Sequence, residues 1–167
     1  MIGKTAKPGS NDWKSVLGRM KRWGVRKWYG WRGIPAPPEK GTTRYTGWWG
    51  EREAERFLRR KGWKVLGRNV RFGARMELDL VMRQPAPPVL VFVEVKTRRG
   101  EEWGRPADAV DAGKRRAVGR AGMKYWKSLG ARRPRHWRFD VVEVVGEPGD
   151  QAPVVRHIEA AWTWGEG

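Results

Sequence analysis

The sequence predicts an α/β domain built around a mixed sheet, and three observations carry that expectation. Two apolar runs, Met76-Glu-Leu-Asp-Leu-Val-Met82 and Val89-Leu-Val-Phe-Val-Glu-Val-Lys-Thr97, bracket Gln84-Pro-Ala-Pro-Pro88, a connection that suits a loop and would break a strand. Trp137–Val145 is alternating and β-branched, the pattern of a further strand. Between these strands, Val110, Ala117, Ala121 and Tyr125 recur at helical spacing, a narrow stripe of mostly small residues suited to close packing on a sheet.

The elements follow in the order helix, three strands, helix, strand, strand. The first helix is expected over about Gly50–Lys61, with Ala54, Phe57 and Leu58 as its apolar stripe and Gly62 as its stop. Glu51 then falls in the first turn, where a carboxylate offsets the helix dipole. Lys64–Phe72 reads as the first strand, in which Arg68 and Arg71 either flank a phosphate path or are solvated. The two apolar runs are strands two and three, and Thr97–Gly104 is a loop leaving them. The long helix starts near Pro106, which suits a first turn, and runs to about Leu129. Trp137–Val145 is paired by a weaker strand at Val154–Ile158.

Pairing the two apolar runs symmetrically about Ala86 and Pro87 sets Asp79 opposite Glu94 and Glu77 opposite Lys96. Alternate strand residues face opposite ways, so these four share one face with Val81 and Phe92. Leu78, Leu80, Met82, Val91, Val93 and Val95 take the other. A slip of one residue would put carboxylates into that apolar set, which argues for this register. Two carboxylates facing each other on a sheet repel. A hard cation reverses the sign, because Mg²⁺ is held by one or two carboxylates completed by water and phosphate oxygens. Lys96 could then orient a water or stabilise charge on a phosphoryl group. The plainer account is a solvated strand face with a Glu77–Lys96 cross-strand pair.

The spacing of Asp79 and Glu94-Val95-Lys96 has the form of the PD-(D/E)xK nuclease signature. More narrowly, the chain resembles the bacterial YraN family, also called UPF0102, which is related to archaeal Holliday-junction resolvases. The resemblance runs in order through Gly50-Glu51 with Ala54 and Leu58, Leu66-Gly-Arg-Asn-Val-Arg71, Glu77-Leu-Asp-Leu80 and Phe92-Val-Glu-Val-Lys-Thr-Arg98. It continues through Ala109-Val110, Lys114, Arg138-Phe-Asp-Val-Val142 and His157-Ile-Glu-Ala-Ala161. The family usually has Gly where Met76 stands, a change that matters only if the site needs a positive φ or close backbone approach there.

The resemblance implies a restriction-endonuclease-like αβββαβ core and metal-dependent phosphodiester hydrolysis, on DNA foremost, branched or in repair. Asp79, Glu94 and Glu51 would hold Mg²⁺ or Mn²⁺, and Lys96 would position the attacking water. Glu77 is a weaker candidate. Lys114, Arg98, Arg71 and Arg115 are the cations expected to contact nucleic acid, Lys114 as a phosphate contact. Junction resolvases work as dimers, so a homodimer is an expectation. Asp140, within the matched Arg-Phe-Asp-Val run, is read as structural and paired with a Lys or Arg. A non-catalytic nucleic-acid-binding module of the same fold stays open as an alternative.

Composition bounds this reading independently. The 167 residues include 36 Lys or Arg against 18 Asp or Glu, a net charge of +18 and a pI near 11.2. Such an excess favours polyanion partners, nucleic acid or an anionic membrane surface. The basic residues are interleaved with 12 Trp, which can stack on bases; a GC-rich codon bias accounts for part of the same composition. No Cys is present, which excludes disulfides and thiolate metal sites. Two isolated His, His136 and His157, make no zinc site, so a metal would be oxygen-ligated. No apolar run approaches a membrane span and no signal-peptide core precedes residue 30, so a cytoplasmic protein is expected.

Residues 1–45 form a basic extension, and residues 46–165 the endonuclease-like domain. The extension holds eleven Lys or Arg against Asp12 and Glu39, half of the net charge. After the N-cap signal Ser10-Asn-Asp12, Trp13, Val16, Leu17, Met20, Trp23 and Trp28 recur roughly at helical spacing among cations. A disordered basic tail, or translation starting at Met20 or later, explains the same residues. Ile34-Pro-Ala-Pro-Pro38 reads as a stiff linker. A peripheral or ribosome-associated protein acting through this arm is the third functional class left open.

Overall fold

The structure is a computed structural model that describes residues 34–100 and 110–163. The expected amphipathic arm before Ile34, the Glu101–Gly104 part of the loop, Pro106 and Ala109 lie outside the described residues. Among the described residues seven α-helices and strands follow in order: α1 (Thr43–Arg60), β1 (Lys64–Arg71), β2 (Glu77–Gln84), β3 (Val89–Arg98), α2 (Ala112–Ser128), β4 (Trp137–Val145) and β5 (Val154–Trp162), with a 3-10 turn at Gly130–Arg132 before β4. The strands form one mixed sheet in the order β1-β2-β3-β4-β5. Neighbours are antiparallel except β3 and β4. That parallel pair needs a crossover, and α2 supplies it. The α/β expectation, with helices flanking a mixed sheet, is met.

The two helices cover opposite faces. On one side Trp49, Ala54 and Leu58 of α1 pack with Leu80, Met82, Val91, Val93, Val142 and Val144. On the other, Val118, Ala121 and Tyr125 of α2 pack with Val81, Phe92, Phe139 and Val141. The hairpin register is the one read from the alternation: Leu80 pairs with Val93, Val81 with Phe92 and Met82 with Val91. Leu78 departs from its expected face and packs with the α2 side. The β2–β3 ladder ends at Leu80–Val93, and Leu78 instead pairs with Val70 of β1, which belongs to the same cluster.

Both helix starts differ from expectation. α1 begins seven residues early, because the Thr42 hydroxyl accepts the Tyr45 N–H at 3.2 Å and caps it. Gly47 hid this turn from a propensity reading. Thr43–Tyr45, at the end of the basic extension, therefore belong to α1. Glu51 lies mid-helix, and no acidic residue stands in the first turn, so it does not compensate the dipole there. α2 begins at Ala112, where the Asp111 carboxylate accepts the Lys114 N–H at 2.9 Å. Its buried stripe is Val118, Gly119, Ala121, Gly122 and Tyr125, with Ala117 only half-buried.

Thr97 and Arg98, expected in a loop, extend β3 through parallel pairing with Val144 and Val145. β5 likewise runs on to Trp162, past an irregularity opposite Phe139–Val141 where Ala160 adopts a φ of 50°.

At Gly122 α2 lies close against the sheet. A Cβ there would sit 2.8 Å from Phe139 Cε1 and 3.0 Å from Phe92 Cδ2. Gly122→Ala therefore overpacks a rigid aromatic layer and lowers stability by about 1–3 kcal/mol in urea unfolding. An unchanged midpoint would show that the helix can retreat freely.

Candidate functional site

The site forms where β2 and β3 part. Beyond the Leu80–Val93 pair the Asp79 side chain reaches across, and its Oδ2 accepts the Val95 N–H at 2.8 Å. A carboxylate thus occupies the gap that opens in the ladder. Glu94 beside it is buried, its side chain 2% exposed. Its Oε1 meets Lys96 Nζ and Lys114 Nζ, each at 3.1 Å, the second reaching in from the start of α2. Its Oε2 is buried without a hydrogen-bond partner among the described residues. Asp79, Glu94 and Lys114, with Glu51 from α1 and Thr97 from β3, line a cleft of about 280 Å³. α1 reaches this cleft because Gly50 lies directly on Thr97, where any added Cβ would overlap the threonine side chain.

The charges explain the protonation behaviour. Burial, and then the Glu94 carboxylate, push the Asp79 carboxyl well above its usual range, against the opposing pull of Lys114 and the Val95 N–H. Glu51 is also raised by burial, although Asn69 and Arg52 favour its charged form. Burial alone would lower the Lys114 ammonium, but Asp79 and Glu94 outweigh it and raise it.

A carboxyl raised in the folded state costs stability as pH rises through its folded-state value. Below its unfolded value it is protonated in both states and costs nothing. Asp79→Asn, which keeps an acceptor for the Val95 N–H, should therefore stabilise the metal-free protein by on the order of 1 kcal/mol near neutral pH. The gain shrinks towards pH 4 in thermal melts. A gain that is constant with pH would rule out charge repulsion as the cause.

Of the expected ligands, Asp79 and Glu94 are brought together and Glu51 reaches the same cleft. Glu51 is engaged, however: its Oε2 accepts Asn69 Nδ2 at 2.9 Å and lies 3.5 Å from an Arg52 terminal nitrogen. Among the described residues no three Asp, Glu or His side chains close into a cation cage. The donors that fit a divalent cation are the two strand carboxylates, with Glu94 Oε2 free to coordinate. Water and a phosphate would complete the shell, as Mg²⁺ commonly requires.

Lys96 and Lys114 stand at the site, whereas the other expected contacts are committed elsewhere. Arg71 pairs with Glu77 at 2.9 Å, so the Glu77–Lys96 cross-strand pair does not form. Arg98 pairs with Glu143 at 3.0 Å, and Arg115 Nε donates to the Val110 carbonyl at 2.7 Å. Arg68 is neither phosphate-facing nor solvated; it donates twice to Glu55, at 2.8 and 2.6 Å. Asp140 is structural, as expected: Arg138, His157 and the Ala160 N–H surround it. Met76 has no positive φ and its carbonyl accepts the Phe72 N–H, so the missing glycine leaves the backbone intact.

Sequence reasoning overlooked Asn69 and Thr97. Asn69 adopts a φ of 45° and turns its amide onto Glu51. Its signal was Gly67-Arg-Asn inside a strand, a pairing of residues that tolerate bulges and left-handed backbone.

A mixed five-stranded sheet with a carboxylate pair at the opening of its central hairpin defines the class. Residues 50–144 match the model of the uncharacterised protein family UPF0102. A UPF0102 protein of Symbiobacterium thermophilum is 48% identical over 100 residues, spanning 60% of this chain and 80% of its own. Another, of Syntrophotalea carbinolica, is 46% identical over 118 residues, 70% of this chain and 89% of its own. One of Pelobacter propionicus is 36% identical over 126 residues, 75% and 89% respectively. The chain belongs to the UPF0102 family. None of its described helices is long and apolar enough to cross a membrane.

Proposed function

We propose that this protein is a divalent-metal-dependent nuclease acting on DNA, with Asp79 and Glu94 as the metal ligands. One observation carries the reading: a buried Glu94 whose Oε1 is clasped by Lys96 and Lys114 while its Oε2 has no partner among the described residues, beside an Asp79 it repels. A buried, unpaired carboxylate oxygen is costly, and a cation offsets both that cost and the repulsion.

When bound, Mg²⁺ or Mn²⁺ would polarise the scissile phosphate and acidify a water. Lys96, held at the cleft by Glu94, orients that water, and Lys114 binds a phosphate oxygen. Glu51 would join the metal shell, directly or through water, on leaving Asn69. The setting proposed is cytoplasmic, and the working unit a homodimer, which light scattering of the purified chain would test.

A second reading, a nucleic-acid-binding module without catalysis, is favoured by the engagement of Glu51 with Asn69 and Arg52. The deciding experiment is cleavage of labelled single strand, duplex, flap, four-way junction and RNA with Mg²⁺ or Mn²⁺, comparing wild type with Asp79→Ala. Metal-dependent cutting that the variant loses supports the nuclease. Equal background cutting by both proteins would mean contamination, and binding without cutting that ignores EDTA would favour the second reading.

A further inference from the structure

We infer that the outer face of α2 is a track for the phosphate backbone of a nucleic-acid duplex leading away from the carboxylate cleft. The inference rests on the nucleic-acid reading of the site. Arg116, Arg120, Lys124 and Lys127 are all exposed and recur at spacings of four, four and three residues. They form one ridge opposite the stripe that α2 buries, spanning about 16 Å of helix axis. Lys114, two residues before the ridge and on the side of α2 that turns to the sheet, reaches into the cleft at Glu94, so the ridge starts beside the cleft and not in line with Lys114. Arg116 has Asp111 within electrostatic range, while Arg120, Lys124 and Lys127 make no ion pair among the described residues.

That freedom is selective. Arg71, Arg98 and Arg68 spend their charge on Glu77, Glu143 and Glu55. The α2 ridge is therefore a contiguous row of cations left for a polyanion, unlike these three arginines, while Lys40, Arg60 and Lys64 are exposed cations scattered off α2.

The form of the ridge chooses its partner. An interfacial helix sinks an apolar face into lipid, but the apolar face of α2 is consumed by the sheet. Single-strand binders offer aromatic platforms for bases. The aromatic ring in the last turn, Trp126, is covered by Arg133 at 4.3 Å and donates its indole N–H to the Pro134 carbonyl. A straight row of charge with no stacking surface matches a stiff backbone, and its length corresponds to about five base pairs.

The test uses the full chain and the triple variant Arg120→Glu, Lys124→Glu, Lys127→Glu, all at exposed helical positions. A second triple, Lys40→Glu, Arg60→Glu, Lys64→Glu, changes the net charge equally at exposed positions off α2. Binding to a fluorescent duplex, to the same single strand and to phosphatidylserine vesicles is followed against salt. The ridge variant should weaken duplex binding at least 100-fold and lower the slope of log affinity against log salt by about 3. The control triple should do much less.

Equal losses in both triples, an unchanged slope, a selective loss of single-strand or vesicle binding, or no duplex binding by wild type would overturn the inference. Asp79-dependent cleavage, measured alongside, separates the two claims. Cleavage with an idle ridge sinks only the track, and a working ridge without cleavage sinks only the nuclease.

Discussion

Asp140→Ala should cost about 3–5 kcal/mol of folding free energy, the range seen when one member of a buried charged network is removed. Asp140 is fully buried between β4 and β5. It accepts Arg138 Nε at 2.9 Å and a terminal Arg138 nitrogen at 3.2 Å, the Ala160 N–H at 3.0 Å, and pairs with His157 Nε2 at 2.9 Å. Without it, Arg138 keeps the exposed Glu159 and its place over the Trp63 ring, and the His157 ring, its side chain 3% exposed, loses the partner of its Nε2 while Nδ1 still faces Lys61. The left-handed turn at Ala160 loses the bond that holds it. Urea unfolding would measure the loss, and a cost below 1 kcal/mol would mean that β5 carries its own weight. If the nuclease reading holds, cleavage at low temperature, scaled to the folded fraction, should survive. Asp140 is then distinguished from a metal ligand by function as well as by place.

Glu94→Gln should reduce metal-dependent cleavage by about a thousandfold, since a catalytic cation contributes several kcal/mol to the barrier. The amide keeps the size of the side chain and still accepts one lysine. It removes the charge that holds Lys96 and Lys114 and that repels Asp79. A readout independent of activity follows: the Asp79 carboxyl should titrate at lower pH in the variant, because the second-largest cause of its elevation is gone. Carbon NMR of the aspartate side chains resolves that shift. A rate within tenfold of wild type would remove Glu94 from the reaction, and an unmoved Asp79 titration would deny the electrostatic coupling of the pair.

The candidate site was legible to unequal depths. The Asp79–Glu94 register could be read because strand periodicity is two, and only one pairing keeps charge out of the apolar face. The limits of β4 could be read for the same reason. The start of α1 could not, since a threonine cap and a glycine in the first turns conceal it from propensity. The arginines were misjudged for a different reason. Residue type declares a charge but not its partner, and Arg98 finds Glu143 only because β3 and β4 lie side by side.

By itself, then, the sequence determined the hairpin, its two-faced alternation between Leu80 and Val93, the crossover helix and the family, all of which depend on local periodicity and ordered motifs. Only the tertiary structure decided which charges remain available. Glu51 is brought to the cleft but held by Asn69, Arg71, Arg98 and Arg68 are neutralised in place, and the α2 ridge stays open. Charge pairing acts across space rather than along the chain, so it appears only once the sheet has set strands and helices against one another.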